Sequence, residues 1–207
     1  MSVIAIPTDL KTWFESAKIT LVHNNFEMKS FFSRKRQVIS WPGAHEWMMS
    51  CKIRPLDEPD AGLMRAFLAK LRGKVNTFQL PVPGYNGPYS EYSGSAGLVV
   101  GGSQVGNQLS TDGWSNSTLV LKAGDYFTVN NELKLVTVDA TTNGSGAVTL
   151  DFEPALRSSP ADNAPLTIVN PYCVMSLQDD SGAEWDVTPG FQDPLHGMEL
   201  KAIEAVA

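Results

Sequence analysis

The sequence predicts a mainly β fold: a discontinuous β-domain with one helix, interrupted by a second β-domain. Three observations predict it. Short stretches of alternating or β-branched apolar residues recur along the 207-residue chain, separated by Gly, Pro, Asn and Ser. Only one stretch, residues 57–73, repeats its apolar residues at helical spacing. The formal charge of −6 is unevenly divided, with twelve Lys or Arg against seven Asp or Glu in residues 1–85 (net +5) and four against fifteen in residues 86–207 (net −11). Segments of opposite charge neutralise one another when they fold together, which favours joining the basic start of the chain to an acidic part further on.

Ile19 and Leu21 mark an early strand, and residues 37–40 are its expected hairpin partner. Alternation is strict over residues 45–54, where Trp47, Met49, Cys51 and Ile53 share one face and Glu46, Ser50, Lys52 and Arg54 the other. That is the pattern of a half-buried strand. The helix follows, with Leu63, Met64, Phe67, Leu68 and Leu71 as its apolar stripe. Asp57, Glu58 and Asp60 crowd its start, Pro59 suits its first turn, and Lys70 and Arg72 precede Gly73, so acid and base both complement the helix dipole. Residues 75–80 form the next strand, ended by Pro81 and Pro83.

From residue 84 to 116 the composition shifts to Gly, Ser, Asn and Tyr, which reads as a junction with long loops. Strands resume at residues 118–121, 125–129, 133–138, 147–153 and 166–169, with Asn143-Gly144-Ser145-Gly146 as a turn. Strands at this spacing with no helix among them suggest a small closed or nearly closed barrel. After Asn170-Pro171 come strands at residues 172–178, 184–187 and 198–206. Residues 171–207 are net −6, and together with residues 1–85 they make a nearly neutral unit. The expected division is therefore 1–85 plus 171–207 as one domain and 86–170, net −5, as the insertion.

With 43% hydrophobic residues, nine Phe, five Trp and five Tyr, the chain has ample material for a packed core. Its start shows no cationic leader followed by an apolar stretch, and no apolar run approaches the roughly 20 residues of a membrane helix. The expectation is a soluble, cytosolic product without membrane insertion. Cys51 and Cys173 sit in strand-like apolar contexts and are expected as buried reduced thiols rather than a disulfide.

Constellations for catalysis are not apparent. His23, His45 and His196 are scattered, and neither cysteine lies at a ligand-like spacing from them. The Gly-rich stretch 97–106 has no following Lys-Ser or Lys-Thr to hold a phosphate. Asp151 and Glu153 share one strand face, whereas a glycosidase pair flanks the bond it cleaves. Gly144-Ser145-Gly146 is a turn rather than a nucleophile elbow. The reading is a non-enzymatic protein with no cofactor and no metal. Arg34-Lys35-Arg36 reads as a solvated or ion-paired face rather than a DNA contact. Trp114, with Asp112, Asn116 and Tyr126 nearby in sequence, offers a candidate carbohydrate platform; the plain alternative is a tryptophan that anchors its loop. Trp13, Phe14, Phe31 and Phe32 fit neither a clean helix nor a clean strand, and belong either to an interface or to the core.

Taken in order, the early strand, Arg34-Lys35-Arg36, the Trp-bearing strand, the helix ending Leu71-Arg72-Gly73 and the phrase Thr77-Phe78-Gln79-Leu80-Pro81 resemble the distal tail proteins of long-tailed, siphovirus-like bacteriophages. Downstream, Leu121-Lys122-Ala123-Gly124-Asp125-Tyr126-Phe127, Phe152-Glu153-Pro154-Ala155-Leu156-Arg157 and Pro160-Ala161-Asp162-Asn163 look like the inserted barrel of that family, and Asn170-Pro171-Tyr172 like its exit. The resemblance spans nearly the whole chain. It implies a β-sandwich with one flanking α-helix, carrying an inserted small OB-like β-barrel and assembled as a homo-hexameric ring beneath the tail tube. It also implies a structural role in the virion, in a tail tip or baseplate assembled in the host bacterial cytoplasm. The partners it implies are the tail tube protein, the baseplate hub protein and the tape-measure protein in the lumen, with DNA only in transit. An acidic total charge fits a channel to which DNA does not adhere. The chain lacks the large carbohydrate-binding insertions of longer members, and a carbohydrate-binding module for host attachment stands as the second reading.

Overall fold

A computed structural model describes residues 2–181, 184, 186 and 198–205. The chain is mainly β and divides into two compact units. Met1–Thr20, Trp47–Asn86 and Asn170–Ala207 form one; Leu21–Glu46 and Gly87–Val169 form the other. The first unit is discontinuous, and its junctions with the later part of the second lie one residue from those read in the sequence. Residues 21–46 are the departure, for the sequence assigns them to the first domain and they group with the second.

Strands are numbered in chain order. In the first unit β1 (Val3–Ile4), β2 (Phe14–Val22, which runs on into the second unit), β5 (Glu46–Ile53), β6 (Thr77–Pro81), β14 (Tyr172–Leu177) and β15 (Glu199–Glu204) make one six-stranded sheet in the order β1-β6-β14-β15-β5-β2. The pair β1 and β6 is parallel, and β6–β14, β14–β15 and β15–β5 are antiparallel. The last strand therefore sits between strands drawn from the two ends of the chain. Along β5, Trp47, Met49, Cys51 and Ile53 are all buried, as their alternation requires.

Helix α2 (Glu58–Leu71) starts where Asp57 accepts a hydrogen bond from the Asp60 amide, and it ends at Arg72 and Gly73, both left-handed. A side chain at Gly73 would lie 2.4 Å from Asp180 Oδ1, so glycine serves both the turn and the close approach. The stripe Met64, Phe67, Leu68 and Leu71 is buried, and Phe67 meets Phe78 of β6 edge-on at 5.5 Å. A four-residue helix, α1 (Leu10–Trp13), buries Leu10 and Trp13. Of the expected sandwich, the described residues supply one six-stranded sheet with α2 packed on it. The strand expected at 184–187 falls largely outside the described residues.

In the second unit, β10 (Tyr126–Val129), β11 (Glu132–Val136), β13 (Val148–Leu156), β8 (Gly106–Asp112) and β7 (Leu98–Val99) form a five-stranded sheet in that order, and β9 (Leu119–Leu121) pairs with β12 (Ala140–Thr141). Residues 164–167 join its two edges: the Val99 amide donates to the Ala164 carbonyl and the Leu166 amide to that of Gly97 beside β7, while Thr167 and Thr128 exchange amide bonds across β10. The sheet thereby closes into a small barrel around one core that includes Leu109, Val120, Phe127, Leu150, Phe152 and Ile168. Strands β7 and β8 lie where the composition reads as loop, and the strand expected at residues 166–169 is replaced by single bridges at Pro165 and Thr167.

Candidate interaction surface

The proposed sugar platform does not assemble. Trp114 is 4% exposed, donates its Nε1 hydrogen to Thr111 Oγ1 at 2.8 Å and packs edge-on against Tyr92. It is the loop-anchoring tryptophan of the plain alternative, with no open face for a sugar ring. Asp112 is half-buried at the end of β8, and Asn116 is exposed in the following loop. Tyr126 lies on β10, half-buried, where burial and then neighbouring Tyr89 push its phenol above the ordinary value. Strands β8 and β10 are three places apart in either direction round the barrel, so closeness in sequence did not become closeness in space.

Other motifs turn out to hold the structure. Asp125, fully buried in the turn before β10, accepts hydrogen bonds from the Tyr89 and Lys122 amides at 2.7 Å each. Lys134 is fully buried, donating to Glu132 Oε2 at 2.7 Å and to the Ala155 carbonyl at 2.9 Å. Glu132 also accepts from the Arg157 and Ser158 amides. Burial alone would raise the Glu132 carboxyl, but the Lys134 charge and these hydrogen bonds outweigh it and hold the group below its ordinary value. Cys51 and Cys173 are buried thiols, and burial pushes the Cys51 thiol up to about 12. Among the described residues, no three His, Cys, Asp or Glu side chains converge as a metal-ligand set.

The distinctive surface lies in residues 25–40. β3 (Asn25–Lys29) and β4 (Arg36–Ser40) form an antiparallel hairpin, replacing the expected pairing of residues 37–40 with the early strand. Phe26 faces Ile39 and Met28 faces Gln37, so one face is largely apolar. The other carries Glu27, Val38, Lys29 and Arg36, with a Glu27–Arg36 ion pair at 3.4 Å. Every residue of both strands is exposed, including Phe26 at 51% and Met28 at 54%. At the tip Phe31 and Phe32 are 89% and 94% exposed and meet edge-on at 5.4 Å. Of the four residues read as interface or core, Trp13 belongs to the core, Phe14 is half-buried, and Phe31 and Phe32 are surface.

Several bonds fasten the root of this arm. Arg34 takes a left-handed conformation at the tip, where its amide bonds the Ser30 carbonyl and the Ser30 amide bonds that of Lys35. At the other end the Asn24 side chain donates to the Ala44 carbonyl at 2.7 Å. His23 Nδ1 and His45 Nδ1 lie 3.3 Å apart, a meeting of two histidines that their 22-residue separation hides in the sequence. Arg157, directly after β13, donates to the carbonyls of Gly43 and His45. This guanidinium ties residues 43–45 to the end of β13, and Glu132, paired with Lys134, holds the Arg157 backbone in turn. Neither protein-family models nor curated proteins give a match to this chain.

Proposed function

We propose that this protein is a non-enzymatic structural subunit of a phage tail tip or baseplate, forming a hexameric ring that joins tail tube to hub and surrounds the DNA channel. The ordered motifs of the sequence suggest the family, and the observation that supports assembly is the uncovered hairpin. A lone two-stranded hairpin is marginal in water at best, and this one exposes an apolar stem face and two phenylalanines. Burying each phenylalanine is worth about 1.5–3 kcal/mol, a gain open to an assembly and closed to a monomer.

Light scattering and electron microscopy of the purified protein test the reading. Six-membered rings, or its presence at the tip of tail particles, are the expected result. A strict monomer that never enters rings or particles would overturn it.

A further inference from the structure

Resting on that ring reading, we propose that the arm tip, Phe31 and Phe32, seats in the groove beside β1 of the next copy, lined by Val3, Ile4, Ile6, Pro81 and Tyr172. A ring is closed by a head-to-tail contact, which needs two different and complementary patches on the same chain. The arm is one patch. The groove is the other: about 400 Å³, with no charged side chain in its lining. That volume falls in the range of about 300–1,000 Å³ typical of clefts that take compact apolar groups. β1 ends the six-stranded sheet on that side, and Val3 is 60% exposed, leaving an apolar sheet edge of the kind proteins cover or charge.

Charge selects both the pairing and the groove. Residues 25–40 carry four basic groups and one acidic, a net of +3, which leaves −9 on the rest of the −6 chain. Arm and body of different copies attract, whereas two arms repel, so the contact is arm-to-body rather than arm-to-arm. Two further grooves on the first unit are charged, one lined by Lys18, Lys52 and Glu199 and the other by Lys18 and Lys201; Lys52 and Lys201 are paired with Glu15 and Glu199, and Lys18 is the cation both grooves share against the basic flank Arg34-Lys35-Arg36. A phenylalanine tip with basic neighbours also suits an anionic bilayer. Yet Phe26, Met28 and Ile39 continue the apolar surface down a stem of about 17 Å, which shallow insertion of a tip leaves uncovered and a neighbouring protein surface covers.

The test uses the full chain. Phe31→Ser with Phe32→Ser is expected to lower the particle mass from sixfold to onefold while the far-UV circular-dichroism spectrum, which reports the fold of each subunit, stays unchanged. A Val3→Cys and Phe32→Cys double variant treated with a short bismaleimide is expected to give a ladder of linked chains up to six, which neither single variant gives. The native thiols, both buried, do not compete. Rings that persist in the Ser variant, or a double variant that stays unlinked within intact rings, overturn the arm-in-groove contact and leave the ring standing. Wild-type protein that forms no ring at all defeats the ring reading itself. Flotation of wild-type protein with phosphatidylserine vesicles, lost in the Ser variant, overturns the proposal in favour of a membrane.

Discussion

The barrel and the arm it carries invert the usual distribution of polarity within one unit. The barrel encloses a lysine and a glutamate, while the arm holds phenylalanines in water. The barrel can do so because its polar groups are matched; among the described residues no buried side-chain nitrogen or oxygen lacks a hydrogen-bond partner. Among the described residues the arm has no comparable compensation. Burial of a charge is thus a sign of a finished structure here, and exposure of aromatic surface a sign of an unfinished one.

Four measurements would break or sharpen this contrast. The largest effect is expected from Lys134→Met, which leaves Glu132 buried without its cation and should cost about 3–5 kcal/mol in urea unfolding. Adding Glu132→Gln should recover part of that, because it removes the buried charge while its single amide oxygen still accepts from one of the two amides, Arg157 or Ser158, that Glu132 holds on separate oxygens. Arg157→Ala should cost roughly 1.5–3 kcal/mol, the range for hydrogen bonds to a charged group, and should speed amide exchange over residues 23–45. A smaller effect concerns acid. The Glu132 carboxyl lies below its ordinary value of 4.5 in the folded chain, so its stabilisation is complete above that value and disappears as pH falls through the folded one. Urea midpoints at pH 7 and below 4 should therefore differ more in the wild type than in Glu132→Gln. The smallest effect is the one that matters for assembly: in urea unfolding at a dilution where both proteins are monomeric, Phe31→Ser with Phe32→Ser should move stability by less than about 0.5 kcal/mol, since these rings are 89% and 94% exposed. A large destabilisation would mean the arm supports its own chain rather than a neighbour.

Much of the fold was legible because period and burial coincide. β5 alternates residue by residue, and α2 carries its stripe, its capping acid and its terminal glycine in the sequence. β8 escaped notice because Gly106-Asn107-Gln108-Leu109-Ser110-Thr111-Asp112 buries only Leu109 and Thr111, so its alternation is nearly silent in hydropathy. β3 had a signal in Phe26 and Met28, but the turn between β3 and β4 has no Gly or Asn, so the hairpin was paired with the wrong neighbour. Phe31 and Phe32 stood out as residues that fit no element; that they lie in solvent depends on the absence of packing partners, which no local pattern encodes. Trp114 misled for the opposite reason, since its polar sequence neighbours say nothing about the core it enters.

The clamp at Arg157 also orders events during synthesis. The arm leaves the ribosome more than 100 residues ahead of the guanidinium that fastens its root, and at about 5–20 residues per second that interval lasts on the order of 5–20 s. For those seconds the nascent chain trails an apolar hairpin with no anchor. A slow stretch of translation between the two would lengthen the window in which neighbouring polysome chains can capture it.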